Sequence, residues 1–216
     1  MNSEVWKTVK LNDAIEALLD YRGKTPKKTT SGIPLVTAKI VKDGFVQEPT
    51  EFIAEEDYSN WMTRGMPKIG DVVLTVEAPL GEVAQLTDNR IALAQRIVTL
   101  RGKKNVLDNG YLKYFLQSET GQARLRARET GTTVTGIKQS ELRLVEIEIP
   151  SFTTQLRIAS ILSSLDDKIE LNRQTNKTLE AIAQALFKEW FVAFNYPGAT
   201  GEMQESELGE IPKGWR

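Results

Sequence analysis

The sequence contains no cysteine and no histidine. Thiolate and imidazole chemistry are closed to such a chain on its own: thiol catalysis, zinc sites built on Cys or His, Ser-His-Asp triads and disulfide scaffolds each need a residue it does not have. No uninterrupted apolar run approaches the ~20 residues that cross a bilayer as a helix. The opening residues, MNSEVWKTVKLND, lack a basic-then-apolar secretory pattern, so a cytoplasmic location is expected. A large net charge is missing as well: 28 Lys and Arg stand against 29 Asp and Glu, a formal net charge of -1. Residues 1–150 hold 21 basic and 20 acidic groups, and residues 151–216 hold 7 and 9. Any polyanion would therefore have to be met by local patches rather than by bulk charge.

What is present suits a folded chain of one large domain, or one domain with an extended element: 216 residues, 40% hydrophobic and 26% charged. In residues 1–150, Asn12 and Asp13 are placed to cap a short helix with Ala14, Ile15, Leu18 and Leu19 on its apolar side. Strand-length apolar runs follow at 33–38, 71–76, 82–86 and 91–100, separated by the turn-prone KDG, PLG and TDN. Helical periodicity returns over 111–129. Residues 142–149 alternate, with Val145, Ile147 and Ile149 on one face and Glu146 and Glu148 on the other. This predicts an α+β, sheet-rich domain that Pro150 closes.

From 153 to 194 one helical repeat is sustained. Ile158, Leu162, Leu165, Ile169, Asn172, Asn176, Leu179, Ala183, Leu186 and Trp190 alternate in steps of four and three, a heptad seam uninterrupted by Pro or Gly. Its 42 residues would extend roughly 60 Å at about 1.5 Å per residue, farther than a small domain can cover. The seam can pack on its own domain or on a second copy. Asn at two adjacent seam positions favours the second, because such residues cost stability but fix register and strand number. The midpoint of the two asparagines nearly coincides with that of the helix. An antiparallel pair then sets Asn172 against Asn176, Ile169 against Leu179, Leu165 against Ala183, Leu162 against Leu186 and Ile158 against Trp190. A parallel pair also matches Asn with Asn, so the seam alone leaves orientation open. Residues 197–216 form a tail in which Trp215-Arg216 echoes Trp6-Lys7, as if a second copy of the chain were about to begin.

The segments RGKTPKKTTSGIPLVTAKIVKDG (22–44), GDVVLTVEAPLGEVA (70–84), ALAQRIVTL (92–100), GTTVTGIKQSEL (131–142), IPSFTTQLRIASILSSLDDKIELN (149–172), LEAIAQALFKEWFVAF (179–194) and LGEIPKGW (208–215) carry a resemblance. Taken together the chain resembles one half of the specificity subunit of type I restriction-modification enzymes: one target-recognition domain, 1–150, and one conserved long helix, 151–196. The full family pattern has two of each, with the helices paired antiparallel. The resemblance implies binding of double-stranded DNA at one half of a bipartite target, with a homodimer supplying the second half. It also implies modification (methyltransferase) and restriction (motor and nuclease) subunits as partners. No cofactor is expected on this chain; S-adenosylmethionine, ATP and Mg would belong to the partners. The alternative is a dimeric coiled-coil scaffold that recruits proteins without reading DNA.

Several segments are candidates for DNA contact. Arg22, Lys24, Lys27 and Lys28 lie in a Gly/Pro/Thr-rich loop that could follow phosphates, or could simply be solvated. Thr37, Lys39 and Lys42 follow at the end of a strand. The 131–136 loop offers Thr132, Thr133 and Thr135, with Lys138 and Gln139 beside it, for backbone phosphates; it lacks the Lys-Ser/Thr ending of a nucleotide-binding loop. Gln95 and Arg96 interrupt an apolar run. Gln pairs bidentately with adenine and Arg with guanine, although Arg96 could instead be buried against Asp71 or Glu77. Arg124, Arg126 and Arg128 share no helical face and read as solvated surface. Asp71, Glu77 and Glu82 are read as structural acids, since no nuclease, dinucleotide or methyltransferase motif accompanies them. Phe187 and Trp190 are expected to pack, and Phe191 and Phe194 are left between packing and docking.

Overall fold

The run at 71–76 shows no alternation because both faces of its strand are covered. In the computed structural model, which describes residues 5–131, 135–207 and 209–215, Val72–Val76 lies inside an antiparallel sheet. Its order is Ile15–Asp20, Ile97–Gly102, Val72–Val76, Leu80–Gln85. Val72, Leu74 and Val76 enter one core with Val83, Val98 and Leu100. Val73 enters a second with Leu19, Ala84 and Ile97. A strand buried on both sides reads as a continuous apolar run.

The second core is closed by another four-stranded sheet, ordered Ala92–Leu93, Ile33–Val36, Phe52–Ile53, Lys28–Thr29, in which only the first pair is parallel. The first core is covered by helices Asn109–Gln117 and Glu119–Arg126, which contribute Leu112, Phe115, Leu116 and Leu125. Two helices stand where one continuous periodicity was read over 111–129. The Ser118 hydroxyl caps the second by accepting from Gly121 N at 3.1 Å. A Cβ at Gly121 would lie 2.0 Å from the Phe115 carbonyl oxygen, so only glycine fits that junction.

The helix expected around 14–19 is replaced by a single turn, Leu11–Ala14, followed by the strand Ile15–Asp20. The reason is a β-bulge: pairing with Ile97–Gly102 shifts register between Arg101 and Gly102, which lie opposite Ala17 and Ile15. Ile15 and Leu18 then face the same core although three residues apart, and Leu19 faces the other. Their spacing imitates a helix. Residues 91–100 form two strands rather than one, with Gln95 and Arg96 in the turn between them. The alternation of 145–149 holds in strand Glu146–Ile149, which pairs antiparallel with Lys7–Lys10, whereas Leu142 belongs to the short helix Gln139–Arg143.

The chain divides into two compact units, Met1–Ser163 and Ser164–Arg216. The first runs past the boundary expected at 150 because the start of the long helix, Phe152–Phe187, folds with it. Gln155 is 1% exposed. Its Nε2 donates to the carbonyls of Val106 at 3.0 Å and Pro150 at 3.1 Å, and its Oε1 accepts from Asp108 N at 2.9 Å. Ile158 packs against the first core. In the second unit the α-helix passes at Lys188–Val192 into a π-helical turn, where Ala193 N donates to the Lys188 carbonyl at 2.8 Å. Phe194 then adopts a left-handed φ of 59° and the helix ends. The tail forms an antiparallel hairpin, Met203–Ser206 with Gly209–Pro212, and Trp215 packs among Phe191, Phe194 and Tyr196. No helix among the described residues is long and apolar enough to cross a membrane.

Candidate nucleic-acid interface

Four separated segments meet at the end of strand Val72–Val76. Val76 N donates to the Arg96 carbonyl at 3.0 Å, and Ile137 N donates to the Val76 carbonyl at 3.0 Å. Glu77 bridges to Gly136, which also bridges to Thr130. Arg22 Nη1 reaches the Ile137 carbonyl at 2.7 Å. The turn at 95–96 and both flanks of the 131–136 loop are thus tied to one place by backbone hydrogen bonds, and the basic loop of 22–28 by the Arg22 side chain.

A cavity of about 180 Å³ opens there. Lys28, Thr37, Lys39, Gln95 and Arg96, five of the expected DNA contacts, line it together with Thr25, Pro26, Glu51 and Ala78. Glu51 was not singled out by any pattern: it follows Pro49 and Thr50 and lies in no periodic run. It takes Lys28 Nζ at 2.9 Å on one oxygen and Lys39 Nζ at 3.4 Å on the other. The close contact with Lys28 holds its carboxyl below the usual range, against a smaller upward push from burial.

Arg22 is spent internally, its Nε 3.0 and 2.9 Å from the two Asp20 oxygens in addition to its contact with Ile137. That guanidinium braces the loop, so a phosphate would have to compete with Asp20. Lys24 and Lys27 are exposed, and Lys27 borders an adjoining depression with Thr25, Pro26 and Trp61. Lys42 is exposed on the hairpin Val41–Lys42 with Phe45–Val46 and does not line the cavity. Thr135 and Lys138 are exposed, and Gln139 is half-buried at the first position of its helix. Thr132 and Thr133 lie outside the described residues.

Arg96 is not buried. Its side chain is 53% exposed, and Nε lies 3.4 Å from Glu77 Oε1. The alternative partner, Asp71, is committed elsewhere: it is 1% exposed and takes Arg101 Nε at 2.8 Å and Nη2 at 2.7 Å, while also accepting from Lys68 N at 2.8 Å. The Asp71 contact, ahead of an opposing burial effect, raises the Arg101 pKa. Arg124 and Arg128 are not loose surface charges either, pairing with Glu148 at 2.5 Å and Glu141 at 3.1 Å.

The long helix presents a second surface. Leu165, Ile169, Leu179 and Leu186 are 43 to 57% exposed, and Asn172, Asn176 and Ala183 on the same seam are exposed as well. Leu162 and Trp190 are half-buried. Trp190 falls within the π-helical turn, so the uniform heptad phase read to that residue is broken over Lys188–Val192. Phe187 stacks on Phe191 at 5.2 Å between ring centroids, yet remains 60% exposed rather than packed away.

Residues 3–181 match the family model described as the type I restriction modification DNA specificity domain. The type I restriction enzyme MjaIX specificity subunit of Methanocaldococcus jannaschii is 33% identical across 97% of this chain and 49% of its own length. The HindI specificity subunit of Haemophilus influenzae is 33% identical across 59% of this chain and 29% of its own. The crystal structure of a type I restriction-modification S subunit from M. genitalium shares the fold, with a TM-score of 0.61 and 20% identity over 96% of this chain and 53% of that one. The chain spans about half the length of the MjaIX relative.

Proposed function

Because the chain belongs to the family of type I restriction modification DNA specificity domains, we propose that it reads one half of a bipartite duplex target and places modification and restriction subunits on it. The reading is carried by the convergence of Lys28, Thr37, Lys39, Gln95 and Arg96 on one cavity. It combines ammonium groups able to replace counterions with Gln and Arg side chains able to address base edges.

On this reading the chain performs no chemistry. S-adenosylmethionine, ATP and Mg act on partner subunits, and the target adenine is presented to the modification subunit for extrusion from the stack. The complex works in the cytoplasm. Two copies pair antiparallel through Leu165, Ile169, Asn172, Asn176, Leu179, Ala183 and Leu186, which gives the apolar seam a mate and supplies the second reader by two-fold symmetry. The target is then palindromic and interrupted.

The test is duplex binding by the full chain, with its modification subunits present, across a salt series. The expected result is selection of an interrupted palindrome from a random library, with log K falling linearly as log salt rises. Equal affinity for all sequences at every salt concentration would refute the reading.

A further inference from the structure

Among the described residues, Arg96 donates no hydrogen bond to the rest of the chain, whereas every other arginine from Arg22 to Arg143 donates at least one. Its recorded ion pair, to Glu77 Oε1 at 3.4 Å, engages the inner nitrogen Nε. The outer fork of two Nη groups is left unclaimed. The base of the side chain is nonetheless held firmly. The Arg96 carbonyl accepts from Val76 N, and the flanking Ala94 and Ile97 are buried. An arginine with no bracing duty, on a pinned turn beside a cavity, has the form of a reading group.

Its charge surroundings decide what it reads. A phosphate approaching the fork would also approach the Glu77 carboxylate and be repelled by it, while the exposed Lys27, on the adjoining depression that shares Thr25 and Pro26 with the cavity, offers an ammonium group. A base edge carries no net charge. Guanine O6 and N7 present two acceptors at the spacing of a guanidinium fork, and Glu77 would fix the plane of that fork by holding Nε. We propose that Arg96 reads a guanine in the major groove and that Glu77 is its positioning residue. This rests on the DNA-reading function proposed above.

The test is selection from a randomised duplex library by the full chain with its modification subunits, comparing wild type with Arg96→Gln, Arg96→Lys and Glu77→Gln. Wild type should prefer guanine at one position of each half-site by roughly 5- to 150-fold, the range of a good bidentate pair. Arg96→Gln should lose that preference and keep the others, Arg96→Lys should weaken it because an ammonium lacks the planar fork, and Glu77→Gln should retain guanine with a reduced preference. Arg96→Lys preserves the charge, and equal melting temperatures establish that the variants are folded. An unchanged guanine preference in both Arg96 variants overturns the assignment. So does a uniform loss across all sequences with a salt slope shallower by about one, which identifies a phosphate contact. If wild type selects no sequence at all, the parent reading fails and this one with it.

Discussion

Lys28 Nζ sits 2.9 Å from Oε2 of Glu51, and the same carboxylate holds Lys39 on its other oxygen. One acid therefore neutralises part of the positive charge of two lysines at the mouth of the cavity. On the proposed function, such a contact would limit how tightly the surface holds DNA irrespective of sequence, because a phosphate would have to displace Glu51 to use either ammonium fully.

Replacing Glu51 by Gln should strengthen binding to random duplex and steepen its salt dependence, by up to about 0.9 in log-log slope for each additional phosphate contact made. Fluorescence anisotropy over a salt series measures both. The pH dependence has a definite sign. The Glu51 carboxyl ionises below its ordinary value of 4.5 because Lys28 favours the charged form. Its contribution to folding stability is thus fully present above that ordinary value and is lost as pH falls through the lower folded value. Between pH 5 and 7 this group should leave both stability and DNA affinity unchanged. A difference between wild type and Glu51→Gln that varied across that window would contradict the ion pair.

Gln155 is the clasp between the start of the long helix and the sheet domain, making three hydrogen bonds to backbone groups from a side chain that is 1% exposed. Gln155→Leu approximates its size but orphans the Asp108 N–H and two carbonyls. Leaving such groups unsatisfied costs about 1–3 kcal/mol each when burial is complete, so a loss of about 3 kcal/mol is expected. Urea unfolding should show the midpoint falling with little change in slope. A loss below about 0.5 kcal/mol would mean that water replaces the side chain at no cost.

The parts of this fold that were legible in the sequence are those in which one physical demand governs a run of residues. The seam from Leu165 to Leu186 was legible because a long helix repeats the same demand each turn, and Val72–Val76 because burial on both faces leaves room for only one polar group, the Thr75 hydroxyl, which accepts from Glu82 N. Misreadings came where two demands were superimposed. The bulge opposite Ile15 and Ala17 produced helical spacing in a strand. A turn between two sheets, joining two short strands, made Gln95 and Arg96 look internal to one. The π-helical turn at Lys188–Val192 changed phase under an apparently regular heptad. Within the candidate interface, the basic residues announced themselves by charge, but not their separation into braces and free groups. Arg22 and Arg96 look alike in sequence and differ because Asp20 lies two residues from one, while only Glu77 Oε1 reaches the Nε of the other. Glu51 and Gln155 gave no periodic signal, because each acts through partners distant in the chain or through a single buried pocket.

The proposed helix pairing, and its orientation, can be tested by exchanging charges across one layer. In an antiparallel pair Ile169 of one copy faces Leu179 of the other, whereas in a parallel pair each residue faces itself. Ile169→Lys alone, or Leu179→Glu alone, sets a charge against an apolar partner in the antiparallel arrangement and against its own like charge in the parallel one, and should weaken association at least tenfold in both, since an unpaired desolvated charge costs several kcal/mol. Carrying both substitutions in one chain separates the arrangements. Antiparallel copies gain a Lys–Glu pair in each of two layers and recover much of the lost association. Parallel copies oppose Lys to Lys and Glu to Glu, and dissociate further. Light scattering across a concentration series gives the answer directly, and 1 M salt should erase most of the recovery by screening the pairs that remain exposed at the edge of the seam. Asn172→Leu with Asn176→Leu complements the swap: removing both central polar residues should preserve association while admitting species larger than the dimer, because the layer that penalises other registers and strand numbers is gone.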